Sequence, residues 1–145
     1  MRGKSDMKLH RVIAIIALIN LVGGCAVENR SGGASSRVEK GAVTGQDQML
    51  SYWYSITIDC SSRGYPVIRT LVPPSHGTLR TDKGEDFPNF ADSNPRHVCN
   101  RRKRPVTYIY YRSEPNFTDT DTTTVEVLFP DGNIRTVTYA IKVRP

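Results

Sequence analysis

An all-β, antiparallel sandwich is the fold this sequence predicts, and three observations carry the prediction. From Met49 onward, runs rich in Val, Ile, Thr and Tyr alternate with turn signals. No βαβ alternation appears, and no amphipathic helix of three turns is legible from Met49 onward. The C-terminal quarter contains a hairpin whose turn chemistry specifies its register.

The chain opens on a different kind of segment. In MKLHRVIAIIALINLVGGC, Lys8 and Arg11 flank a short apolar run from Val12 to Ile19, the pattern of an export signal. The apolar stretch stops at Gly24, short of the roughly 18 residues that span a bilayer as a helix. Leu21-Val22-Gly23-Gly24-Cys25 resembles the lipobox of bacterial lipoproteins. The resemblance implies that residues 1–24 are a signal peptide and that Cys25 is the lipid attachment site. Ala26 in place of an aspartate implies an outer-membrane address facing the periplasm. A plain signal cut after Ala26 is the alternative. A start at Met7 gives the more compact signal, because residues 1–6 add Asp6 to a flank that is ordinarily only positive.

Residues 25–48 read as a lipid-anchored flexible linker. Gly, Ser, Glu and Arg dominate there, without apolar periodicity. The ~21 residues from Ala26 to Gln46 would span about 25 Å on average. The formal charge of the chain is +6, but four cations and one acid precede Cys25. The small positive remainder suits solubility and does not require a polyanionic partner.

The domain is expected over residues 49–145. LSYWYSITI alternates as a strand, with Leu50, Tyr52, Tyr54, Ile56 and Ile58 on the expected buried face. SSRGYP turns into VIRTLV, and PPSHG breaks the chain before TLRT. Residues 82–104 read as a long irregular loop, a length that is ordinarily functional or tied down. VTYIYYR, TTVEVLF and NIRTVTYAIKV follow as strands. Pro130 and Gly132 suit a type I turn closed by a left-handed residue. The resulting three-residue loop pairs Val127 with Arg135, Val125 with Val137 and Thr123 with Tyr139, which gathers Val125, Val127, Val137, Tyr139 and Ile141 on one face.

The chain has three cysteines. With Cys25 lipidated, Cys60 and Cys99 remain as an even pair in an exported protein, the setting for a disulfide. Closing a loop of about 40 residues would contribute roughly 4 kcal/mol in the chain-entropy model. A metal site built from Cys60, Cys99, His97 and His76 is the competing reading, but C-x-x-C and paired-His spacings are lacking.

Pro74-Ser75-His76-Gly77-Thr78-Leu79 and the later Tyr111, Pro115, Phe117 and Asp121 resemble the bacterial Ig-like and cadherin-like modules of envelope and surface proteins. Asn116 and Asp119 stand where that pattern has glycines, and Ser113 where it has a proline. The resemblance implies an Ig-like β-sandwich. Its motifs are structural and name no ligand. Trp53 precedes both cysteines, unlike the antibody arrangement.

Candidate chemistry is sparse. Asp119 and Asp121, with Asp59 or Glu114, could hold calcium, but capping of turns and strand starts accounts for them better. Arg101, Arg102, Lys103 and Arg104, with Arg96 nearby, form a basic cluster suited to an anionic partner. No G-x-S-x-G or paired-acid motif accompanies the histidines. The expected function is a non-enzymatic, membrane-anchored envelope module that binds or braces a partner. A small envelope hydrolase or metal-dependent enzyme using His76 or His97 is the alternative. The expected partners are the membrane, through the lipid anchor, and an envelope protein or anionic envelope polymer. Nucleic acid is not expected outside the cytoplasm, and no motif asks for a cofactor or a catalytic metal.

Overall fold

The computed structural model describes residues 34–145; the expected signal peptide and Cys25 lie outside them. The strands are β1 (Ala34–Val43), β2 (Asp47–Trp53), β3 (Ser55–Ile56), β4 (Ser62–Gly64), β5 (Val67–Val72), β6 (Gly77–Asp86), β7 (Arg104–Ser113), β8 (Thr120–Leu128) and β9 (Ile134–Arg144). One short 3₁₀ helix, His97–Arg101, precedes β7. Two sheets, β1-β9-β8-β5 and β2-β7-β6, face each other, and β3-β4 forms a small separate hairpin. The all-β sandwich is therefore the observed fold. Lettered in order, the seven long strands give B-E-D in one sheet and C-F-G in the other, the strand order of immunoglobulin-type sandwiches. The first strand joins the C-F-G sheet and pairs with β9 in parallel, where an antiparallel arrangement was expected throughout.

The β8–β9 register is the one the turn chemistry predicts, from Leu128↔Ile134 through Val125↔Val137 to Thr123↔Tyr139. The Gly132 N–H donates to the Phe129 carbonyl at 2.9 Å, and Phe129 N–H to the Asn133 carbonyl at 2.9 Å. Gly132 has φ +85°, a conformation that excludes β-branched residues at little strain. Val125, Val127, Tyr139 and Ile141 are fully buried, against Leu50, Ile109 and Tyr111 of the other sheet.

Three expectations need correction. Residues 34–48 are not a flexible linker: Ala34–Val43 is β1, in register with Ala34↔Arg135 through Val43↔Arg144, and Asp47 opens β2. This strand packs only Val38 and Ala42 against the core, so its apolar period is too sparse to read. Backbone bonding to β9 holds it instead. LSYWYSITI is not one strand either. The β2–β7 register slips between Met49 and Ser51, leaving Leu50 as a bulge, and a one-residue insertion swaps the faces beyond it. Ser51 and Trp53 consequently turn inward, opposite Ile109 and Thr107, while Tyr52 lies outward opposite Tyr108. Trp53 packs edge-on to Phe129, and its indole N–H donates to the Ser51 hydroxyl. Finally, part of the expected irregular segment is ordered strand, since β6 runs on to Asp86 in register with Arg104 of β7.

Candidate functional site

The corner that carries the basic cluster is built from two loops and one covalent bond. In the β3–β4 hairpin, Thr57 N–H donates to the Ser61 carbonyl at 2.9 Å and Cys60 N–H to the Thr57 carbonyl at 3.2 Å. Ile58, Asp59 and Cys60 thus form a three-residue loop closed by Cys60 at φ +68°. Cys60 closes a turn, just past the strand expected over LSYWYSITI. The Asp59 carboxylate accepts hydrogen bonds from the Thr57 and Ser61 hydroxyls. Those bonds, Thr57's first, hold its pKa below the usual carboxylate value.

The second loop runs from the end of β6 to the start of β7. Asn100 clamps it across its width: Phe90 N–H donates to Asn100 Oδ1 at 3.1 Å, and Asn100 Nδ2 donates to the Phe90 carbonyl at 2.9 Å. The Tyr54 hydroxyl donates to Asn89 Oδ1 at 2.8 Å, and its ring meets Phe90 edge-on. The Tyr52 hydroxyl donates to the Phe87 carbonyl at 3.0 Å. These outward tyrosines, expected in the core, peg the loop to the sheet. The expected Cys60–Cys99 disulfide joins the two loops, with Cα atoms 5.4 Å apart and Cys99 buried. As half-cystines, neither residue is a thiolate ligand for metal.

The basic residues divide between different surroundings. Arg101, Arg102 and Arg104 line one hollow of about 310 Å³ with Asp59, Val98 and the disulfide. Arg96 lines a second hollow of about 430 Å³, together with Ala34, Ile56, Asp131 and Arg135. Lys103 lies over the Phe87 ring, 5.7 Å from its centroid. Among the described residues, none of the five forms an ion pair. The Nε atoms of Arg96 and Arg104 are enclosed there without a hydrogen-bond partner. Beside this corner, Ile58 and Val98 are each 61% exposed. Sequence reasoning missed both: alternation assigned Ile58 inward, and nothing marked Val98. A larger hollow of about 850 Å³ opens along β1 and β9; its lining side chains come from the sheet edge and include no histidine, cysteine or serine.

The chemistry of a capped turn accounts for the PSHG segment. Asp121 is buried and accepts the backbone N–H groups of Ser75 and His76, each at 3.0 Å, Thr122 N–H at 2.8 Å and the Tyr111 hydroxyl at 3.0 Å. Burial pushes the Asp121 carboxyl up, but the His76, Ser75 and Thr122 amides with the Tyr111 hydroxyl outweigh it and hold the pKa low. The Tyr111 hydroxyl is pushed up, first by its own burial and then by Asp121. Gly77 has to be small: a Cβ there would sit 2.5 Å from the Tyr111 ring. Asn116 takes φ +66° where the resembled pattern has glycine, and Asp119 is not among the residues at positive φ.

His76 stacks on Phe117 with centroids 4.4 Å apart, and its Nδ1 lies 3.5 Å from Glu114 Oε2. His97 Nε2 lies 3.0 Å from Asp92 Oδ1. Ser75 meets Asp121 through its backbone, and no serine hydroxyl among the described residues bonds either imidazole. The described residues contain no group of three or more His, Cys, Asp or Glu placed to hold a metal ion.

No family model matches the chain, and no curated protein matches it. Among solved structures, "Solution Structure of Amebosin" is similar over 77% of this chain and 98% of that one, at 10% identity and a TM-score of 0.39. A likeness of that degree carries no argument about activity or partner.

Proposed function

We propose that this chain is a non-enzymatic, lipid-anchored module of the bacterial cell envelope, which binds or braces an anionic envelope partner through its cationic corner. The signal-like segment and the lipobox-like Leu21–Cys25 stretch support export and anchoring at Cys25. The Cys60–Cys99 bond carries the reading. Such bonds persist in oxidising compartments, and this one ties the basic run to a loop of the sandwich. Arg101, Arg102 and Arg104 thereby become a positioned surface instead of a mobile tail.

The reading is tested in a bacterial host by detergent partition and thiol labelling. The wild-type chain is expected in the detergent phase and the Cys25→Ser chain in the aqueous phase. Without reductant, Cys60 and Cys99 are expected to resist alkylation by a maleimide polymer. An aqueous distribution for both chains overturns the anchor, and ready alkylation of both cysteines overturns the oxidising compartment.

A further inference from the structure

We infer that the disulfide corner is a second membrane contact, a docking surface for anionic phospholipid headgroups; this deepens, and rests on, the lipid-anchored reading. The corner combines two chemistries that an interface rewards together. Ile58, two residues before Cys60, and Val98, directly before Cys99, each expose 61% of their surface. Val98 lines a hollow of about 310 Å³ with Arg101, Arg102 and Arg104, and the three arginines form no ion pair among the described residues. The one acid at its rim, Asp59, is already engaged by Thr57 and Ser61. Guanidinium groups bind phosphate oxygens through paired N–H donors, and exposed apolar tips beside them enter the boundary between headgroups and acyl chains. A soluble anion would explain the arginines but give Ile58 and Val98 nothing to cover them.

The length of chain ahead of the domain points the same way. Because β1 takes up Ala34–Val43, only residues 25–33 separate the proposed anchor from the sandwich. Fully extended, they reach at most about 30 Å. Ala34, where that leash joins the fold, lines a hollow with Ser55, Ile56 and Arg96, the residues that lead into the Ile58 loop and the Val98 helix. The leash is short and attaches at the end of the sandwich that carries the cationic corner.

The test uses the processed chain, residues 25–145, bearing Cys25→Ser so that no lipid contributes. It is sedimented with vesicles of phosphatidylglycerol in phosphatidylcholine, or of phosphatidylcholine alone. Binding is expected only to the anionic vesicles and is expected to fall as salt rises. Each arginine replaced by serine should lower the partition coefficient about five-fold, and all three on the order of a hundred-fold. Ile58→Ser with Val98→Ser should also abolish most binding while circular dichroism and the disulfide stay unchanged. Absence of binding to anionic vesicles, or indifference to the three arginines, overturns the proposal. Loss with the arginines but not with Ile58 and Val98 overturns it too, because it leaves an electrostatic attraction without apolar insertion. The detergent partition of the lipidated wild type is a separate measurement, so failure here and failure of the anchor are distinguishable.

Discussion

The β8–β9 hairpin and the β3–β4 hairpin close with the same loop and are held by opposite means. Each has three loop residues, Pro130-Asp131-Gly132 and Ile58-Asp59-Cys60, with the same pair of backbone bonds and a central aspartate. In each, the last loop residue is left-handed, Gly132 at φ +85° and Cys60 at φ +68°. Behind Gly132 stand nine register pairs with a buried face. Behind Cys60 stand two pairs, Ser55↔Gly64 and Ile56↔Ser62, and Ile58 stays in solvent. Where the strands bury apolar surface, the turn only has to be permitted. Where they bury little, a covalent clip maintains a loop that would otherwise open, with a residue in a conformation costing about 1–2 kcal/mol.

Cutting that clip is the largest expected effect. Cys60→Ala with Cys99→Ala, or reduction, should cost about 2–4 kcal/mol in denaturant unfolding. Hydrogen exchange should quicken in residues 57–61 and 87–103 while β8 and β9 keep their protection. Uniform loosening of both hairpins would remove the contrast. A somewhat smaller loss, about 2–3 kcal/mol, is expected for Asp121→Ala, which orphans the amides of Ser75 and His76 and the Tyr111 hydroxyl. That loss should fall on the start of β8 and leave the disulfide loops alone, as exchange rates at Thr122 and at Cys60 would report.

Gly132→Val comes next, at about 1–2 kcal/mol. No atom lies within 4 Å of a Cβ built on Gly132, so the cost is conformational alone. Gly132→Asn should recover part of it, since Asn enters the left-handed region more readily. Equal stability of the Val and Asn variants in chemical denaturation would contradict a left-handed residue at that position.

The two hairpins also differ in how far they were legible. β8–β9 could be read to the residue pair because a proline, a glycine and two alternating runs all select one register. The β3–β4 loop hides the same geometry behind Ile-Asp-Cys, which has no glycine to announce it. Counting cysteines found the disulfide but not the turn it closes. The β2 faces were misread at a single place, the Leu50 bulge, because a one-residue slip leaves no mark in alternation. Strand β1 escaped notice because it buries only Val38 and Ala42. In the candidate site, the basic run was plain in sequence, but its division among two hollows and the Phe87 ring follows from chain path. The exposed Ile58 and Val98 could not be seen until the loop closed.

The smallest effect is the sharpest probe of the comparison, because the two loops carry the same carboxylate. Asp131 is held below the usual pKa by the Asn133 backbone N–H first, with Arg63 adding to it; Asp59 is held low by the Thr57 and Ser61 hydroxyls. Both folded-state values are depressed, so whatever stability these groups contribute is present above the unfolded value of 3.8. It is lost as pH falls through the folded values. Carboxyl chemical shifts followed from about pH 6 to about pH 2 should place both midpoints below 3.8 in the intact protein. Removing the disulfide should move Asp59 back toward 3.8, because its hydroxyl donors keep their places only while the loop stays closed. Asp131 should not move, since its loop is closed by the strands behind it. If the two midpoints shift together, the loops are not independently held, and the clip acts on the whole sandwich instead of on the corner it joins.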